Sequence, residues 1–142
     1  MADNTFLLEV VTPEKLVLSE EVQFVVVPAV EGELGVLKNH APLVCGIAVG
    51  VMRYTLADGE RRNVAIGEGF MEVIDNEVKV LTETAEHGRD VDILRAKAAK
   101  ERAERRLQAR EDTINYTRAR LALSRAIARI RAAEGDKSAG KF

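Results

Sequence analysis

The chain has few of the residues that most often announce a chemistry. In 142 residues it carries one cysteine, Cys45, two histidines, three prolines and no tryptophan, and aromatic side chains make up only 4%. A single cysteine excludes an internal disulfide and fits a reducing compartment. The scarcity of aromatics leaves no stacking platform for single-stranded nucleic acid. His40 and His87, without clustered cysteines, make no metal site. No apolar run approaches the roughly 18 residues that a membrane span needs, and Met1-Ala2-Asp3-Asn4 has none of the features of a signal peptide. Direct membrane insertion is therefore not expected, and any membrane association should come through a partner. A G-x-x-x-x-G-K-[ST] loop is also missing, which excludes a P-loop ATPase site. Cys45 sits among Val44, Ile47 and Val49. That setting suits an inert buried thiol better than a nucleophile paired with His40.

What is present divides in two. Residues 1–87 hold 6 basic and 15 acidic side chains, a net of −9; residues 88–142 hold 15 and 8, a net of +7. The change falls at the stretch Glu86-His87-Gly88-Arg89-Asp90, with strand-like sequence before it and helix-like sequence after it. The expected class is α+β. An N-terminal antiparallel β-sandwich over 1–86 should be followed by an antiparallel two-helix hairpin over 87–142.

Residues 5–11 and 16–18 read as strands separated by Pro13. Gln23 to Val27 reads as a strand buried on both faces and ended by Pro28. Residues 31–46 are dense in turn formers and read as loop. Strands follow at 50–56, 63–66, 70–74 and 77–82. Asp58-Gly59 is expected to form a type I′ hairpin turn, which needs positive φ at both central positions. Short strands with turn chemistry between them argue a sandwich or barrel.

Asp90 is the expected N-cap of the first helix, with Asp92 in its first turn, where the helix dipole favours an acid. That helix should run to Arg110 without Gly or Pro, and the second from Tyr116 to Ala133, ending at Gly135 before a fraying tail. At 100° per residue, Asp92, Ala96, Ala99, Ala103 and Leu107 share one stripe. On the second helix Ile114, Arg118, Leu121, Ala122, Arg125, Ala128, Arg129 and Ala132 form one face, and Tyr116, Leu123, Ile127 and Ile130 the opposite one. The latter needs a surface other than the first helix. The 15 basic residues of the hairpin raise a nucleic-acid-binding reading. Interleaved acids and missing aromatics set it aside.

Glu31 to Leu43 (EGELGVLKNHAPL), with GEGFMEV at 67–73 and NEVKVL at 76–81, closely resemble the epsilon subunit of bacterial F-type rotary ATP synthases. The resemblance covers essentially the whole chain. It implies a non-catalytic subunit of the central rotor stalk, peripheral on the cytoplasmic face of the bacterial plasma membrane. The implied partners are the gamma subunit, the ring of c subunits and the catalytic alpha and beta subunits. It also implies a helical hairpin that folds down on the sandwich or extends to inhibit ATP hydrolysis. Glu33 and His40 match the loop that meets the c ring.

Some members of that family bind ATP as a regulatory ligand on the folded-down hairpin, through an I/L-D-x-x-R-A element and further arginines. Here the element reads VDILRA, residues 91–96, with Val91 in place of Ile or Leu. The resemblance thus implies an ATP site of Glu86, Asp92, Arg95, Arg102, Arg125 and Arg129. Guanidinium groups from two helices can hold a triphosphate by forked, charge-assisted hydrogen bonds. The other readings of the same residues are a solvated basic face, or a dock for an acidic segment of the catalytic subunits.

Overall fold

The computed structural model describes residues 4–109 and 113–139. Among the described residues nine strands precede two α-helices, as the α+β reading expects. β1 (Phe6–Val11), β8 (Glu77–Thr82), β7 (Gly69–Ile74) and β4 (Leu43–Ile47) form one layer. β3 (Gly32–Leu37), β5 (Gly50–Leu56), β6 (Arg61–Ile66) and β9 (Ala85–His87) belong to the other. β2 (Leu16–Ala29) joins the layers: its first half pairs with β1 and its second half with β3 and β5. The pairing is antiparallel except between β1 and β8, which run parallel.

β2 merges the two short strands expected at 16–18 and 23–27. Pro28 does not end it, because its missing N–H falls between the ladder to β5, which stops at Val26, and the pair with β4 at Ala29, while its carbonyl still accepts the Ala48 N–H at 2.8 Å. Nor is the run 23–27 buried on both faces: Val25 and Val27 are fully buried while Phe24 is exposed. Residues 32–37, expected as loop, pair with 24–29 as an edge strand. The turn expected at Asp58-Gly59 is present, but its type differs. Asp75 and Asn76 carry the two positive φ values (49° and 62°) of a tight hairpin, whereas at Asp58-Gly59 only Gly59 is left-handed. There the Gly59 N–H donates to Leu56 O, and Asp58 Oδ1 takes the Glu60 N–H, which makes a type I turn closed by a glycine bulge.

Strict alternation fills the space between the layers. Phe6, Leu8 and Val10 of β1, Met71 and Val73 of β7, Val78 and Val80 of β8, and Met52 and Tyr54 of β5 are all buried there. β6 departs from alternation, with Asn63 to Ile66 all buried, because its second face is covered by the hairpin.

The hairpin consists of α1 (Ile93–Ala109) and α2 (Thr113–Ala139). α1 packs on α2, and α2 lies across β5 and β6. Alanine at heptad spacing makes the helix seam: Ala96 and Ala103 of α1, and Ala119, Ala126 and Ala133 of α2, are all buried. Ala128 and Ala132 meet Ala65, Val49 and Val51 of the sandwich. The arginine-bearing face of α2 is thus the one that turns to the sandwich. The apolar stripe expected opposite is divided: Ile130 packs against Val91, Ala96 and Ala133, Ile127 borders the sandwich, and Tyr116 is exposed. α2 also runs through Gly135 to Ala139, where a helix end and a fraying tail were expected. The expected end of the first helix at Arg110, and residues 111–112 of the link, lie outside the described residues.

Candidate functional site

β9 lies antiparallel to β6, with Glu86 opposite Ala65, and α2 crosses the same edge. A cleft of about 500 Å³ opens between them, floored by Ala65, Ile66 and Ala85 and closed on the helix side by Arg125, Ala128 and Arg129. That volume falls within the range of roughly 300–1,000 Å³ common to small-molecule sites. The Nε–H of Arg129 donates to Glu86 Oε1 over 2.7 Å. His87 ties β9 to the start of β2: its Nε2 lies 3.1 Å from the Val17 carbonyl, which can only accept, so Nε2 carries the proton.

Of the six residues implied for ATP, this cleft gathers three, Glu86, Arg125 and Arg129. Asp92 has another task. Its Oδ1 accepts the Arg95 N–H at 3.1 Å and its carbonyl takes the Ala96 N–H at 3.0 Å, so Asp92, not Asp90, is the N-cap of α1. Asp90 falls in the 3-10 turn Gly88–Asp90 and lines the cleft. Arg95 and Arg102 are exposed on α1 and do not line it.

Glu14 and Lys15, from the turn between β1 and β2, also face the cleft. They carry no motif and lie some seventy residues before Glu86 in the chain, so only the fold brings them there. Lys15, Arg125 and Arg129 stand against Glu14, Glu86 and Asp90, and the lining is balanced in charge.

Glu33 is the second residue of β3, exposed and ion-paired with Arg53. His40 lies three residues past the end of the same strand, with Nδ1 2.7 Å from the Ala41 carbonyl. The two stand at opposite ends of β3, with about 13 Å of strand rise between Glu33 and Leu37. The loop bearing His40 is held in place by Asn76, whose Oδ1 accepts the Asn39 N–H at 2.8 Å.

A third feature is apolar. The register places Gly46, Phe70 and Leu81 in one row across β4, β7 and β8, with Val11 beside Leu81 on β1 and Val30 against Gly46. Phe70, Val30 and Leu81 are 64%, 67% and 51% exposed, and Val44 68%. Gly69 lets β8 approach, since a Cβ there would lie 1.9 Å from the Leu81 carbonyl oxygen. A contiguous row of exposed apolar side chains is the kind of surface at which interactions form.

Cys45 is half-buried on β4 against the core, and burial pushes its thiol up from the ordinary range. Among the described residues no group of His, Cys, Asp and Glu could hold a metal, and no helix is long and apolar enough to cross a membrane.

Two family models match consecutive stretches of the chain. Residues 5–88 match the beta-sandwich domain of the ATP synthase Delta/Epsilon chain and residues 89–134 its long alpha-helix domain. The ATP synthase epsilon chain of Syntrophomonas wolfei is 60% identical, over 94% of this chain and 98% of that one. That of Desulfitobacterium hafniense strain Y51 is 56% identical over 92% and 97%. Among solved structures, a chain of the Euglena gracilis mitochondrial ATP synthase (OSCP/F1/c-ring) superposes with a TM-score of 0.80 at 25% identity, covering 91% of this chain and 81% of that one. A chain from the central stalk and c ring of the Tetrahymena thermophila enzyme shares the fold at a TM-score of 0.56 and 15% identity, over 92% and 95% of the two chains. Sandwich, hairpin and sequence agree, and the chain belongs to the ATP synthase Delta/Epsilon family as an epsilon-type chain of the F-type enzyme.

Proposed function

We propose that this chain is a non-catalytic rotor subunit that couples proton flow to ATP synthesis and restrains ATP hydrolysis through its C-terminal hairpin. The apolar row through Phe70 and Leu81 is the surface for the gamma subunit, and Glu33 and His40 are the contacts with the c ring. Its place is peripheral, on the cytoplasmic face of the bacterial plasma membrane. In the folded-down state ATP sits on the hairpin as a regulatory ligand. The observation that carries this last step is the convergence of Glu86, Arg125 and Arg129 on one cleft between the sandwich and α2. Arg95 and Arg102 would have to swing in from α1 to complete a triphosphate site, with Asp92 remaining at the helix cap.

A second reading keeps the rotor role without ATP sensing. The balanced charge of the cleft and the pairing of Arg129 with Glu86 favour it, since a triphosphate would have to displace an existing partner. Calorimetric titration of the full chain with ATP decides between the two, with Arg95→Ala and Arg125→Ala as controls. Saturable binding lost in both variants supports the nucleotide site. No heat of binding up to millimolar ATP eliminates it and leaves the rotor assignment intact.

A further inference from the structure

The far end of α2 is joined to the sandwich at a point separate from the arginine cleft. β9 accompanies β6 only from Val64 to Ile66, and the chain then leaves the sheet at Gly88. The next residue of β6, Asn63, is 8% exposed, and its backbone N–H has lost its strand neighbour. Asp136 of α2 takes that place. Its Oδ1 accepts the Asn63 backbone N–H at 2.8 Å and the Asn63 side-chain Nδ2–H at 3.0 Å. A carboxylate on a helix therefore continues the ladder of a strand. Without it, a buried N–H would be left unsatisfied.

Two glycines make room for this contact. A Cβ on Gly88 would lie 2.3 Å from the Ala132 carbonyl oxygen and 2.7 Å from Asp136 Oδ2, and one on Gly135 would lie 2.9 Å from the Asn63 amide nitrogen. Neither glycine has a left-handed φ, so space rather than conformation requires them. Asp136 Oδ2 itself is buried with no hydrogen-bond partner among the described residues. The contact to Asn63 therefore runs through the single oxygen Oδ1.

We infer that Asp136 and Asn63, seated by Gly88 and Gly135, form a latch that holds α2 down on the sandwich without any bound ligand. It rests on the reading above that the hairpin can leave the sandwich, but not on the nucleotide site, because neither Asp136 nor Asn63 lines the arginine cleft. The latch sets how readily the hairpin leaves the sandwich when no nucleotide is present.

Amide hydrogen exchange on the full-length chain, without nucleotide, tests this. In Asp136→Ala the Asn63 amide and the last turns of α2 should exchange on the order of tenfold faster or more, the effect of losing a hydrogen bond to a charged group. The core amides of Leu8 and Val80 should keep their protection. Asp136→Asn, which retains the acceptor oxygen, should hold the Asn63 amide near its original rate. Gly88→Ala should open the same region with both latch residues intact. Unchanged exchange at Asn63 in Asp136→Ala would overturn the proposal. So would an equal rise at Leu8 and Val80, which would make the contact part of the global fold rather than a separate closure.

Discussion

Arg129 and Glu86 are 43 residues apart in the chain, yet the guanidinium Nε and the carboxylate oxygen lie 2.7 Å apart where α2 crosses β9. Both side chains are about one-third exposed, so the pair is neither a screened surface contact nor a fully desolvated one. It is the direct polar link between the arginine face of the hairpin and the strand that ends the sandwich.

Removing that link should be felt modestly by the apoprotein. Arg129→Ala is expected to cost about 1 kcal/mol, the upper end for a partly exposed ion pair, read as a lower melting temperature in a thermal scan. The larger difference should appear with nucleotide. At a hundredfold excess over its dissociation constant, ATP should stabilise the wild-type chain by about 2.7 kcal/mol and raise its melting temperature. The variant should lose most of that rise.

The alanine seam between α1 and α2 allows close backbone approach and has no room for a larger side chain. Ala126 is 2% exposed at the centre of the heptad-spaced set. Ala126→Leu should destabilise the hairpin by about 1–3 kcal/mol through overpacking. Proteolysis should then cut α1 and the link to α2 faster, while the sandwich fragment persists.

Phe70 stands 64% exposed in the middle of the apolar row. Phe70→Glu should leave the stability of the isolated chain within about 0.5 kcal/mol, as exposed substitutions usually do. Association with a purified gamma subunit, followed by gel filtration, should be lost. Retained association would move the partner surface elsewhere on the sandwich.

Tyr54 gives the fold an alkaline limit. Burial pushes its phenol up to about 12, against the opposing pull of Arg89 and Arg62. The unfolded chain releases that proton near pH 10, its ordinary value, while the folded chain retains it. The contribution is therefore complete below pH 10 and is lost as pH rises toward 12. Tyr54→Phe should flatten the fall in melting temperature across that window, without changing it at neutral pH.

Much of this architecture was open to reading along the chain. Alternation at β1, β7 and β8 and an alanine- and arginine-rich region free of breakers before Gly135 are local patterns, and each imposes its own period. The charge reversal near Glu86 likewise marks the passage from sandwich to hairpin. Local rules failed where a neighbour supplied what the sequence lacked. Pro28 stays in a strand because its missing N–H falls where β2 passes from β5 to β4, and Gly135 stays in a helix because α2 continues against Asn63. Residues 32–37 hold two glycines and still form a strand, because β2 offers them an edge.

The candidate site divides in the same way. Arginine spacing and the VDILRA element are properties of the sequence, and so is the capacity of Asp92 to cap a helix. Only the tertiary structure decided that Asp92 spends its carboxylate on that cap, that Lys15 and Glu14 enter the cleft, and that Asp136 completes the ladder of β6. A residue's period and propensity are set by neighbours within a few positions. Which groups meet across some seventy residues of chain is set by how α2 lies on the sheet, and by the close approach that Gly88 and small alanines permit there.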